Sequence, residues 1–402
     1  MQHPHPPVGA RFSLLVLALL AFFLAVPAAA TPADEAPRFL IEKITVAGNR
    51  RPASARIVVS ESLLHEGRTY SEDELRDAIH RIKRLPFVID ADFALQKGSE
   101  RGRYLLVVTV DETRLLFAAV PVELDTHGET ISTAELRAPR HFDFGDSTLL
   151  GVRQFVGSEG LVFAALGSTN NLFQVGYTRY DLFGPGSFAS ATLAFGIPGS
   201  SAIPSLSVGL PLTANQSLRA TVSRFERRST LVSERRVAEL DWLYNTTDDL
   251  FFPTRGKTAE ADLFYRLPVV AAGEPDARQW TLALSGRSHR PLTARQSWSV
   301  GYEAAVDRFS GLRESLQPLY EYRASLDLRH ALDLWQGESA HGRGDLRLET
   351  SIERAVFHAD HDLSLALAVD PVYPYTLRSA LVFRNPWAVV RLGVSYCGKA
   401  MR

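Results

Sequence analysis

The sequence predicts an α+β module of order β-α-α-β-β, followed by an all-β transmembrane barrel of about sixteen antiparallel strands, within a range of roughly twelve to sixteen. Three observations predict it. Strand-like and helix-like patterns alternate up to about residue 113, and from about residue 149 the apolar residues recur with a period of two. Beyond the leader no run of about 18 apolar residues occurs, so the chain could enter a bilayer only as a closed barrel whose strands satisfy one another's backbone groups. The charge is near balance, 44 Lys and Arg against 45 Asp and Glu, without the basic excess that a nucleic-acid partner requires.

The first thirty residues read as a secretory signal. Arg11 precedes the apolar stretch Phe12 to Val26, and Ala28-Ala29-Ala30 supplies small residues for cleavage after Ala30. Export is the expected consequence. The single cysteine, Cys397, cannot form an internal disulfide, so the exported fold must rely on packing and hydrogen bonds.

The module follows. Phe39 to Val46 is a β-branched strand that ends at Gly48-Asn49. A helix is expected from about Ser54 to Leu64, with Ile57, Leu63 and Leu64 on its apolar side and Gly67 as its C-cap. Ser71 and Glu74 form a capping box that opens a second helix, in which Leu75, Ile79 and Ile82 recur at spacings of four and three. Leu85-Pro86 stops it. Two strands close the unit, Val88 to Gln96 and Tyr104 to Val110, around a turn at Lys97 to Gly102.

Ile44-Thr45-Val46-Ala47-Gly48-Asn49, Leu85-Pro86-Phe87 and Val108-Thr109-Val110-Asp111-Glu112 resemble the recurring strings of POTRA domains in the BamA/TamA family of outer-membrane assembly and translocation proteins, some of them known as bacterial surface antigens. The resemblance assigns residues 38–113 to one POTRA domain. It implies a periplasmic module that binds unfolded outer-membrane or secreted clients by strand addition to a sheet edge. Val88 to Gln96 and Phe39 to Val46 are the candidate edges, and an edge that is blunted or covered is the alternative.

Residues 114–148 read as a linker leading into the barrel, and 149–396 as the barrel itself. In Trp298 to Asp307 and Tyr320 to Arg329 apolar residues alternate with charged or small ones, so Val300, Tyr302 and Leu326 fall on one face and Glu303 and Arg323 on the other. A soluble β-sandwich would bury the same stripe. The number of strands, the lack of a second distinct domain and the aromatic end of the last strand favour a barrel with lipid outside. In that last strand, Trp387 to Tyr396, the residues Trp387, Gly393 and Tyr396 mark a string that looks like the C-terminal assembly signal of outer-membrane barrels, with 397–402 as an overhang.

Two turns extend the family resemblance. Asp249, Phe252, Pro253, Thr254, Arg255 and Gly256 belong to a Phe-Pro-Thr-Arg-Gly string read as a tight turn, and Leu182, Phe183 and Gly184 resemble the family's early Leu-Phe-Gly turn. The family's Val-Arg-Gly-Phe loop, whose arginine enters the lumen, is missing. Arg313 and Arg343 are the nearest candidates for such an arginine, each otherwise a solvated loop residue.

Catalysis has little to stand on. His358-Ala359-Asp360-His361-Asp362 is the one His/Asp cluster, in a position where polar turn residues are expected anyway, and neither a nucleophile elbow nor a phosphate-binding loop occurs. No cofactor or metal is expected. The expected function is assistance in inserting or translocating polypeptides at the outer membrane, with outer-membrane lipids and unfolded clients as partners. The alternatives are a passive pore or surface antigen that keeps the architecture alone, and an outer-membrane enzyme.

Overall fold

The computed structural model describes residues 37–49, 51–85, 87–112, 115–117, 120–127, 130–137, 148–157, 159–167, 173–195, 203–225, 234–249, 252–269, 278–310, 319–339, 342–359, 375–384 and 389–398. The leader lies outside them. The first unit consists of β1 (Arg38–Ala47), α1 (Pro52–Ser62), β2 (Thr69–Ser71), α2 (Glu72–Ile82), β3 (Val88–Lys97) and β4 (Arg103–Glu112). Its sheet has the order β2-β1-β4-β3, with β1 parallel to β4 and the other pairs antiparallel. Three strands were expected. The three-residue β2 carries too little pattern to read from sequence, yet it pairs with Arg38 to Leu40 on the outer side of β1.

The local signals act as physical chemistry requires. Pro52 opens α1, where its missing N–H costs nothing. The helix closes not at Gly67 but at Leu63, which adopts φ +57° and donates its N–H to the Ser60 carbonyl. Gly67, at φ +80°, instead turns the chain into β2. The capping box of α2 forms in full: Glu74 N–H donates to Ser71 Oγ at 3.2 Å, and Ser71 N–H donates to Glu74 Oε2 at 2.6 Å. α2 ends at Ile82, three residues before Leu85, and Pro86 lies outside the described residues. Both helices cover one face of the sheet, where Ile57, Val58, Leu75 and Ile82 bury against Ile41, Leu106 and Val108. Gly48 is required by close approach: at φ +78° any Cβ would stand 2.3 Å from the Val110 carbonyl oxygen.

The second unit is a closed barrel. Its strands are β5 (Leu115–Phe117), β6 (Val120–His127), β7 (Thr130–Arg137), β8 (Thr148–Val156), β9 (Gly160–Gly167), β10 (Phe173–Tyr180), β11 (Phe188–Phe195), β12 (Ile203–Thr213), β13 (Gln216–Phe225), β14 (Glu234–Asn245), β15 (Gly256–Val269), β16 (Arg278–Thr293), β17 (Gln296–Ser310), β18 (Leu319–Ser339), β19 (Gly342–Ala359), β20 (Tyr375–Arg384) and β21 (Val389–Gly398). From β8 to β21 each strand pairs antiparallel with the next. β7 closes the ring on β21, and β5 pairs with β8 while β6 pairs with β7. Among the described residues β5 and β6 follow each other in one direction between β7 and β8 and fill a single stave, so the wall has about sixteen staves, as the sequence predicts. Residues 114–148 are therefore more than a linker, since β5 to β7 are part of the wall. β21 also runs two residues past Tyr396.

Alternate pairing fixes direction. The β8–β9, β10–β11, β12–β13 and β14–β15 connections all lie at one end, which is the end that touches the first unit. β21 runs away from that end, so Gly398 lies at the opposite one. Beyond the three-residue β5, strand length varies from eight residues in β9, β10 and β11 to 21 in β18.

The barrel wall answers which face is apolar outward. Leu326 is 57% exposed, and Leu328, Leu282, Leu240, Leu263 and Leu392 are exposed with it. Their neighbours along each strand point inward and carry charge: Arg219 meets Asp241 at 2.7 Å, Arg287 meets Asp327 at 2.6 Å and Arg323 meets Asp307 at 2.9 Å. Val300 and Tyr302 pair with Leu328 and Leu326 on the outer face, while Arg323 belongs to the interior, as expected. An apolar exterior around a charged interior is the arrangement of a bilayer-spanning barrel and the reverse of a soluble sandwich.

Candidate functional site

The first unit offers one open strand edge. On the outer side of β1, β2 pairs with Arg38 to Leu40, the Ile41 N–H donates to Arg68 O at 2.9 Å, and the Ile44 N–H donates to Glu66 Oε1 at 3.0 Å. That side is filled, which removes Phe39 to Val46 as a candidate edge. β3 stands at the other end of the sheet with β4 as its only strand neighbour among the described residues. Its edge is partly screened, because Ala91 and Phe93 donate their N–H groups to the carboxylates of Asp90 and Asp92 at 2.9 and 2.8 Å. Such bonds within adjacent residues discourage casual pairing.

Beside this edge lies a groove of about 580 Å³ between β3 and α2. Its floor is apolar, with Phe39, Ile79, Phe93 and Leu95, and its rim is charged, with Glu72, Arg76, His80, Lys83 and Asp92. The rim pairs are local: Arg76 with Glu72 at 2.5 Å and Lys83 with Asp90 at 2.8 Å. An extended segment with alternating apolar residues fits this chemistry, since its backbone could join β3 and every second side chain could enter the floor.

α2 has a second role on its other side, where it binds the barrel. His80 Nδ1–H donates to the Thr247 carbonyl, Asn215 donates to Asp77 at 3.0 Å, and Arg84, two residues past the helix, donates to Asn245 O at 2.9 Å. Arg81, almost fully buried, donates to Glu61 Oε1 at 2.6 Å and reaches Thr213 O. Burial raises the Glu61 carboxyl to about 7, against the opposing charges of Arg81 and Arg84. Burial lowers His80 below its ordinary range. Apolar contact continues across the junction, with Phe87 edge-on to Phe155 at 4.9 Å and Tyr180 in the same core. The first unit and the barrel end are thus one packed body at this point.

The two family-like turns sit here. In the β10–β11 connection Asp181 holds φ +59°, and its carboxylate accepts from Ser60 Oγ, which itself accepts from the Gly186 N–H at 3.1 Å. Leu182 and Phe183 are exposed, and Gly184 has φ +114°. The β14–β15 connection spans residues 246–255, within one residue at each end of the strand ends expected at Tyr244 and Lys257. Asp248 accepts from the N–H groups of Thr254 and Arg255 at 2.8 and 3.0 Å, and Asp249 accepts from that of Phe252 at 2.8 Å. Pro253 lies between them, and Gly256 at φ +97° leaves no room for a Cβ, which would stand 2.2 Å from Thr246 O. Phe252 does not stay at the rim. Its ring packs with Ala380 and Val382 on β20 and lies 4.5 Å from the Arg347 guanidinium on β19.

Of the remaining expected residues, Arg343 lies on β19 near the end that touches the first unit, not in a loop. Arg313, Trp387 and the cluster from Asp360 to Asp362 fall outside the described residues, and His358 lies on β19. Gly393 and Tyr396 lie on β21, with Tyr396 on the outer face beside Leu392 and Val394. Sequence reading missed the buried interior arginine Arg347, paired with Asp333 at 2.6 Å. Alternation within Leu346 to Ile352 places it inward, but Phe252, which covers it, comes from the distant β14–β15 connection.

No protein-family model and no curated protein matches this chain. Among solved structures, CdiB from Escherichia coli is similar at 12% identity and a TM-score of 0.42, over 99% of this chain and 100% of that one. BamA from Haemophilus ducreyi lacking POTRA domains 1–3 is similar at 11% identity and a TM-score of 0.40, over 89% of this chain and 84% of that one. CdiB from Acinetobacter baumannii is similar at 9% identity and a TM-score of 0.41, over 89% and 74%.

Proposed function

We propose that this chain is an outer-membrane barrel protein whose POTRA-type module, on the periplasmic side, receives unfolded outer-membrane or secreted polypeptides by strand addition and passes them to the barrel for insertion or translocation. One observation carries the reading. The same helix, α2, walls the groove at the open β3 edge and is hydrogen-bonded through His80 to the barrel connection at Thr247, while Arg84 just past its end bonds Asn245 on β14. A bound strand would therefore lie directly beside the barrel end. The exported chain would meet lipid through its apolar outer face, and the work is binding and hand-over without a catalytic step.

Photo-crosslinkers placed in turn from Asp92 to Gln96 test it. Nascent barrel proteins should be captured with yields that alternate every second residue, because side chains alternate faces. Leu95→Pro, which removes a backbone donor from the open side of β3, should abolish capture while the barrel still folds. Normal levels of every outer-membrane protein after deletion of the module would leave only a passive pore.

A further inference from the structure

The β14–β15 connection reaches too far to be a hairpin loop. β15 and β20 are five strand positions apart, about 24 Å along the wall at the usual spacing of roughly 4.8 Å. Phe252 nevertheless packs on Ala380 and Val382 of β20, whose neighbours Leu381 and Phe383 face outward, so the contact is made on the inner wall. To reach it the connection must cross the opening of the lumen. Phe252 is 4% exposed, and the Arg347 side chain that it covers is also 4% exposed.

The crossing segment is braced for this position. Asp248 and Asp249 tie down Phe252, Thr254 and Arg255, and Thr246 and Lys257 bond to each other at its base. Two bonds from the first unit hold its first limb: His80 on α2 donates to Thr247, and Arg84, two residues past the helix, donates to Asn245 at the end of β14. The segment is thus held at its tip by the far wall and at its root by the helix that also lines the β3 groove.

We propose that residues 246–249 and 252–255 form a strap that closes the lumen at the module end, with Phe252 as its latch on Arg347, Ala380 and Val382. The lumen conducts only when the latch leaves the wall, and α2 holds the strap's root. This rests on the reading that the barrel spans a bilayer, which heat-modifiable gel mobility checks separately.

The test is single-channel conductance of the full chain in planar bilayers. Phe252→Ala should raise open time or conductance several-fold over the unaltered chain, while Phe252→Leu, which keeps an apolar latch, should stay near the unaltered level. In a Cys397→Ser background, Phe252→Cys combined with Ala380→Cys should conduct like Phe252→Ala until a short bismaleimide joins the two thiols, and then close. Each chain is first shown to fold by its gel mobility; if Phe252→Ala fails there, the linked pair decides. Equal conductance of linked and unlinked pairs, or two thiols that do not join in the folded chain, would overturn the strap.

Discussion

The module and the barrel use the same strand code with opposite outcomes. In β4, Leu106, Val108 and Val110 are buried against two helices, whereas in β18 the alternating Leu326 and Leu328 are exposed and the charged residues between them are turned inward. Alternation in sequence therefore states only that a strand has two unlike faces. Which face is hidden depends on what covers it: helices in the module, and in the barrel a wall closed on its own charged interior. Water drives the apolar face of β4 inward, and hydrocarbon accepts that of β18 outward.

The sharpest way to break this comparison is to treat both faces alike. Leu106→Ala in the module should cost about 2 to 5 kcal/mol, as for other buried leucines, measured by denaturant unfolding of the module signal in the full chain. Leu326→Ala, on an exposed face, should cost far less. For charge the order inverts: Leu326→Arg should destabilise the barrel by about 2 to 4 kcal/mol near the bilayer midplane, read by urea titration in lipid vesicles, while Ser325→Arg on the lumen side should be tolerated. Equal cost on both faces would undo the assignment.

A smaller effect sharpens the comparison at the junction. The Glu61 carboxyl, raised by burial to about 7 from 4.5, binds a proton more readily when docked. Its contribution to docking is therefore full below about pH 4.5 and is lost as pH rises through about 7. His80 works in the other direction, since burial lowers it and its contribution is lost as pH falls. Glu61 faces Arg81, Arg84 and Asp181, and His80 faces Lys83, Asp77 and Arg84. Glu61→Gln should leave only the His80 slope, so docking followed by hydrogen exchange at the β14–β15 connection should strengthen, not weaken, between pH 5 and 8. The smallest expected effect is at the cap: Ser71→Ala should cost about 1 kcal/mol in module stability and leave the barrel's gel mobility unchanged.

Features written in neighbouring residues were legible. The Ser71–Glu74 capping box, the helix from Glu72 and the alternation of Trp298 to Asp307 need only a few residues to declare themselves, and counting such segments came close to the stave number. What failed depends on distant partners or on very short elements. β2 is three residues long and exists because β1 offers it an edge, and β5 to β7 belong to the wall because β21 and β8 pair with them. The closed side of β1 was equally hidden, since Glu66 and Arg68 fill it from a loop. At the candidate site, the Phe-Pro-Thr-Arg-Gly string could be marked, but its reach could not. Phe252 meets Arg347 and Ala380 only after six strands have turned the wall back toward it.

The direction of β21 bears on how the two ends of this chain can be reached. With its first unit at one rim and Gly398 at the other, a barrel seated in a sealed vesicle displays the two on opposite sides of the bilayer. An epitope inserted after Gly398 and another placed in the turn at Ser99 to Gly102 should then never be accessible to antibody from the same compartment, so a single impermeant label would report the orientation of every molecule in the preparation.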